Sequence, residues 1–318
     1  SRKLGQLMGA DKATSDMPSL RDPINDITLR YRDYSFAQEQ RKRMDLALGA
    51  YLRRALGWQK DLPEKERSAI AKEAAAIAKD AEGTRFEAMV NAQTEGRACF
   101  DAVEADALKA MTKLAVALPV WESWGKNIRG FGAKSLAVIV AEAGDLSNYP
   151  DKSKLWKRMG LAVMGDVRQG GLKKGAGAEA WIEHGYSPKR RSQVWNIGDA
   201  MIKAQVRKVK DDADEDSGER MSLGEYGQAY LDRKAYELAR NPEMKPIHAH
   251  RSAQRIMEKR LLKHLWQAWR EASCTLSEKT IRALPPDEIM PQGVGEATPV
   301  LSEKTTQLVP PDLSRNAA

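Results

Sequence analysis

The sequence is short of the residues that build disulfide frameworks and metal cages. Its 318 residues contain two cysteines and four histidines. Cys99 and Cys274 lie far apart without metal-ligand spacing, which excludes a disulfide scaffold and a zinc module and predicts a reduced, cytosolic protein. His248 and His250 form an i,i+2 pair, which does not share a helix face, and no third ligand is close in sequence. Phosphate-loop lysine and G-x-S-x-G motifs are both missing, which removes two common routes to nucleotide and acyl chemistry. Long apolar runs are missing as well. Leu136 to Ala141 is the longest near the centre of the chain, too short to span a bilayer, so no membrane partner is expected. No signal peptide is visible. The chain opens at Ser1 rather than Met, which predicts a removed initiator or a fragment.

What is present is charge, and it is unevenly placed. The net charge is +8 and the pI about 9.3, which suits a polyanionic partner. Asp151 to Lys210 holds fourteen lysines and arginines against five acids, a net of +9, so the remainder sums to about −1. Gly170, Gly171, Gly175 and Gly177 lie within this basic stretch and predict a loop whose backbone can approach a ligand closely. Such a loop suits phosphate binding, or it is simply a solvated basic loop.

Immediately before it runs IRGFGAKSLAVIVAEAGD, Ile128 to Asp145. The Gly130-Phe131-Gly132 triplet predicts a tight turn between two short helices, because glycine takes positive φ without a Cβ clash. Backbone amides at the start of the following helix would seat one phosphate. Leu136, Val138, Ile139 and Val140 supply an apolar face. This is a helix-hairpin-helix pattern, although a Gly-x-Gly between helices is also an ordinary turn.

The flanking regions read as helical. Residues 1–35, with Pro18, Pro23 and scattered aspartates, predict an irregular arm. Helical spacing predicts helices over Phe36 to Leu56, Pro63 to Asp80 (capped by Asp61) and Arg85 to Leu118. Arg41, Lys42, Arg43, Arg53 and Arg54 on the first either touch nucleic acid or solvate a face. On the third, Phe86, Phe100 and Leu114 share one heptad position and Val90, Met111 and Leu118 another. Gln93, Arg97 and Glu104 interrupt that seam, which serves either a homodimer or an ordinary bundle core. Asp211 to Glu219 predicts an acidic surface loop. Leu223 to Arg240 and His250 to Arg270 predict two further helices, the last burying Ile256, Met257, Leu261, Leu262, Leu265, Trp266 and Trp269. Residues 271–318 predict a disordered tail. There, TLSEKTIRALPPDEI at Thr275 to Ile289 recurs as VLSEKTTQLVPPDLS at Val300 to Ser314, which suggests bivalent docking of a protein partner or an idle duplication.

The order of these pieces carries a resemblance. IRGFGAKSLAVIVAEAGDLSNYPDKSKLWKRMGLAV, VRQGGLKKG, SPKRRSQVWNIGDAMIKA and YGQAYLDRKAYELARNPEMKPIHAHRSAQRIMEKRLLKHLW together resemble the C-terminal transposase domain of the insertion-sequence 110 transposases, relatives of the Piv-type DNA invertases. The resemblance covers Ile128 to Arg270. It implies a DNA partner and, in the family, a serine nucleophile that would form a covalent phosphoseryl link. That position aligns here with Gly170, which has no hydroxyl. No serine lies between Ser153 and Ser187, and Ser187 could serve only through a differently folded loop. The family's N-terminal RuvC-like domain holds metal ions on an acidic quartet. Residues 1–118 show no apolar strands to carry one, and Asp11, Asp16, Asp22, Asp26 and Asp33 do not make a metal site.

The resulting expectation is a mainly α-helical protein with a helical region at 36–118 and a helix-hairpin-helix domain at 119–270. Its function is backbone-directed binding of DNA, or of structured RNA, in the cytoplasm at the nucleoid. Gly130, Phe131, Gly132 and Lys134 would seat a phosphate; Arg168, Lys173, Lys174, Lys189, Arg190 and Arg191 would surround it with positive charge. No cofactor is expected, and Mg²⁺ only for an active transposase or recombinase, the first alternative. A protein-interaction scaffold is the second.

Overall fold

A computed structural model describes residues 21–172, 175–210 and 216–283. The fold is mainly α-helical, with two small two-stranded sheets. Helix α1 (Arg21–Ala55) buries Ile24, Ile27, Tyr31 and Tyr34 at its start and Leu48 and Leu52 near its end, all at helical spacing. The irregular arm expected over 1–35 is therefore wrong from residue 21 onward. Pro23 lies in the first helical turn, where its missing N–H has no helical partner to lose. Residues 1–20, with Asp11 and Asp16, lie outside the described residues.

Helix α2 (Glu64–Lys79) is preceded by Pro63 at the N-cap, not by Asp61 as the sequence suggested. Helix α3 (Glu87–Val116) runs antiparallel to α1, as its cross-contacts show. Phe36 meets Phe100 at a centroid distance of 6.3 Å, and Tyr51 meets Phe86 at 6.3 Å. Two of the residues that interrupt the heptad seam, Arg97 and Glu104, pair with α1. Arg97 Nη1 lies 2.8 Å from Asp45 Oδ1, and Arg41 Nε lies 2.9 Å from Glu104 Oε2. Phe86, Val90, Met111 and Leu118 are buried within the chain. The seam proposed for homodimerisation is thus occupied by the protein's own α1 and α2. Leu48, Leu52, Ala74, Ala81, Phe86 and Val90 form a satellite core.

The main core is built around the hairpin. Helix α4 (Pro119–Ser123), a 3-10 turn at Gly125–Asn127 and helix α5 (Ala133–Ala143) follow one another. Leu136, Ala137, Val138, Ile139 and Val140 of α5 are all buried. A helix apolar on every side must sit at the centre, and α5 does. The core joins the start of α1 and the end of α3 to the residues beyond Pro119, so the boundary expected at 118/119 is not a packing boundary.

After helix α6 (Lys152–Arg158) comes a small hairpin of β1 (Val163–Met164) and β2 (Val167–Arg168). Its two-residue turn has positive φ at both Gly165 and Asp166, the conformation that matches strand twist. Helices α7 (Ala178–His184) and α8 (Pro188–Gln205) follow. Strands β3 (Val206–Lys210) and β4 (Asp216–Ser222) pair antiparallel, so the acidic surface loop expected over Asp211 to Glu219 ends in a strand. Helices α9 (Glu225–Arg240) and α10 (Pro246–Ala283) close the fold. On α10 the buried face comprises Ala249, Ala253, Met257, Leu261, Leu262, Leu265 and Trp269, while Ile256 is exposed against expectation. The disordered tail expected from 271 is helical through Ala283, and the second copy of the repeated motif lies outside the described residues.

Candidate nucleic-acid interface

The two hairpin glycines have different physical roles. Gly130 takes φ +80°, and a Cβ there would lie 2.7 Å from Ala204 Cβ and 3.0 Å from Met201 Cα on α8. Gly130 is therefore required by conformation and by packing. Gly132 is extended at φ −82° and ψ 163°, with nothing within 4 Å of an added Cβ. It opens onto the N-terminus of α5, whose first amides have no helical carbonyl to bond. The turn is anchored from below: Gln205 Nε2 donates to Arg129 O at 2.7 Å, and Arg129 Nε donates to Ala204 O at 2.9 Å. Phe131 is 3% exposed with its ring edge-on to Trp124 at 5.4 Å. Its expected place in the interface is therefore corrected: it is a core residue that holds the turn.

Two of the expected cations gather beside this turn on stacked rings of α1. Lys134 Nζ lies 3.0 Å from Tyr34 Oη and over that ring, and Lys189 Nζ lies over the Tyr31 ring at 5.4 Å. The two rings are 6.4 Å apart. Both lysines remain exposed. Arg190 is different: its Nε lies 3.1 Å from Glu142 Oε2, a carboxylate that also accepts from Tyr31 Oη at 2.8 Å. Arg190 is thus spent on an internal ion pair rather than free for a phosphate. Burial first, and Glu142 second, push the Tyr31 phenol well above its ordinary range.

A second group of cations lies where α8 crosses α10. Arg191 Nη1 is 2.9 Å from Glu258 Oε2, but misaligned, so the contact is a charge contact without a hydrogen bond. Glu258 is fully buried, and Gln254 Nε2 donates to its Oε1 at 3.0 Å. Burial outweighs both partners and pushes the Glu258 carboxyl up to about 7. The helices approach closely because Gly198 has no side chain. A Cβ there would meet Glu258 Oε1 at 2.8 Å and Gln254 Nε2 at 3.0 Å.

Around Glu258 stand Arg191 and Arg255, with Arg168 and Lys259 beside them. Arg255 Nη2 donates to Ala162 O at 3.1 Å. Burial lowers the Arg255 guanidinium, and Arg191 and Arg168 lower it further. Burial likewise lowers Lys259, with Arg255 and Arg168 adding to it. Like charges are therefore gathered at an electrostatic cost, against one carboxyl that itself favours its neutral form. Such a cluster is suited to an anion.

Hydrogen-bonded loops hold this cluster. Gln169 is 3% exposed; its Nε2 donates to His184 O at 2.7 Å and Lys157 O at 2.9 Å, and its Oε1 accepts from Ala162 N at 3.2 Å. That one side chain ties the small hairpin to the ends of α6 and α7. The next residue, Gly170, takes φ +82°, and a Cβ there would lie 2.7–2.9 Å from the ring of Tyr186. Ser187 is the N-cap of α8, its side chain accepting from Arg190 N. The differently folded loop that would have made Ser187 a nucleophile is not observed.

Of the expected cations, then, Lys134 and Lys189 share one face, Arg168 and Arg191 share the crossing, and Arg190 is internally paired. Lys173 and Lys174 lie outside the described residues. Arg255, Lys259 and Tyr186 were missed by sequence reasoning. The i,i+4 spacing of Arg255 and Lys259 does put both on one helix face, but nothing local distinguishes it from a solvated face. His250 Nδ1 lies 2.8 Å from Tyr230 Oη, a structural bond. Among the described residues no cluster of histidine, cysteine and carboxylate could hold a metal ion. No described helix is long and apolar enough to cross a membrane. Comparison with known proteins found no matching family model, no matching curated protein and no matching solved structure.

Proposed function

We propose that this protein binds the backbone of DNA, and that it derives from a transposase whose serine chemistry it has lost. The observation that carries the reading is the crossing of α8 and α10. There Arg168, Arg191, Arg255 and Lys259 crowd together around the buried Glu258. A phosphodiester would relieve that repulsion, and displaced counterions would add to affinity. The open Gly132 at the start of α5, flanked by Lys134, offers a second phosphate contact. Neither feature reads base edges, so recognition of backbone and shape is expected.

The test is a titration of duplex, branched and single-stranded DNA, and of RNA, across salt concentration. Affinity should fall steeply with salt and favour DNA that is branched. Gly132→Val fills the opening without touching packed atoms and should weaken binding several-fold with the helical signal unchanged. Weak binding to all four nucleic acids, with no salt slope, would sink the reading.

A further inference from the structure

The basic crossing contains one group that a passive binding surface does not need. From Lys154 to Tyr186 the sole hydroxyl-bearing side chain is that of Tyr186. The structure places it against the cations. An added Cβ on Gly160, which takes φ +76°, would lie 3.2 Å from Arg191 Cβ and 3.5 Å from Tyr186 Cε2. The ring also fills the space above Gly170, where any side chain would collide with it. Two glycines in left-handed conformations thus make room for one aromatic ring. Arg255 is close enough for the tyrosine to act on its charge. Gly185 ends α7 and Ser187 caps α8, so Tyr186 is held at a fixed junction of two helices. The side chain is half-buried, and its hydroxyl has no hydrogen-bond partner among the described residues.

We propose that Tyr186 is the nucleophile of a DNA strand-cleaving and rejoining site, with Arg168, Arg191, Arg255 and Lys259 holding the phosphodiester it attacks. The inference rests on the DNA-binding reading above. The phenol oxygen forms a bond to phosphorus as the bond from phosphorus to one deoxyribose oxygen breaks. The phenol proton passes to water, and the departing oxygen takes a proton from water to become a free hydroxyl. The product is a phosphotyrosyl diester, which conserves the energy of the broken linkage. A strand hydroxyl can then attack that phosphorus and expel the phenol, so rejoining needs no oxidant, nucleotide or other co-reactant. Extra negative charge gathers on the phosphoryl oxygens midway, and preplaced cations stabilise it without reorganising.

The experiment uses the full chain and a pool of supercoiled plasmids carrying randomised inserts, quenched with detergent and probed for protein covalently attached to DNA. The wild type should give a detergent-resistant complex, and mass spectrometry should place a nucleotide adduct on Tyr186. Tyr186→Phe keeps the ring in place. It should keep the melting temperature and salt-dependent binding while losing at least 100-fold of the covalent complex. A wild type that binds the pool but forms no adduct overturns the proposal and leaves the binding function standing. An adduct that persists in Tyr186→Phe, or maps elsewhere, overturns it too. Failure to bind the pool at all overturns both.

Discussion

Two helix pairs in this molecule trap arginines between them, and they treat those arginines in opposite ways. Between α1 and α3, Arg41 and Arg97 face Asp45, Asp101 and Glu104. Their guanidinium pKa values are pushed up, Arg41 by its bond to Glu104 first and Arg97 by its bond to Asp45 first. Between α8 and α10, burial and neighbouring cations pull Arg255 and Lys259 down. The first set completes its electrostatics inside the fold. The second is left incomplete, and the physical difference lies in the count of facing carboxylates, not in residue type. A surplus of charge that the fold does not neutralise marks a place for an outside ligand.

The comparison breaks most severely at the crossing itself. Gly198→Leu would force α8 and α10 apart and scatter the cations. A loss of about 3 kcal/mol is expected in chemical unfolding, with DNA binding lost alongside. Retained stability would mean that the helices do not meet as closely as described.

Next comes pH. The folded carboxyl of Glu258 is raised to about 7, above its unfolded value, so the folded state holds its proton more tightly. Stability is then full below the unfolded value, falls as pH rises towards about 7, and levels off beyond it. The fall should approach about 3 kcal/mol at most. Glu258→Gln should flatten the curve across that window. An unchanged slope in the variant would assign the titration to another group.

A smaller effect sharpens the contrast between the two sets. Arg255→Ala with Lys259→Ala should reduce DNA affinity about tenfold at moderate salt and lower the salt slope by about 2, with modest change in melting. Smallest is Arg41→Ala, which should cost about 1 kcal/mol of stability and leave the binding isotherm unmoved. If Arg41→Ala instead weakened DNA binding as much as the double variant, the division into internal and outward-looking arginines would fail.

Legibility from the sequence followed the range of the interaction concerned. Helices α2, α3, α5 and α9 were readable because apolar spacing is local. The start of α1 was misread because Pro23 and the aspartates suggested a break, whereas Ile24, Ile27, Tyr31 and Tyr34 find their partners in the distant core. Phe131 lay in a turn and looked available; only the presence of Trp124 behind it removes it from the surface. The β3–β4 ribbon was hidden by charge-rich strands without alternation. Arg190 and Arg191, adjacent in one basic run, turned out to pair with Glu142 and Glu258 on different helices.

By itself, the amino-acid order determined the helical class, the positive φ needed at Gly130 and the crowding of charge between Asp151 and Lys210. These are properties of single residues and short periods. Tertiary structure alone decided which cations are neutralised, that Gly132 rather than Gly130 is open, and that Tyr186 lies over Gly170 among arginines. Those outcomes depend on which helices meet: Arg41 finds Glu104 63 residues along the chain, while Arg255 comes to rest beside further cations. Coulomb energy and desolvation are set by distance in space and by burial, and neither can be read from position in a sequence.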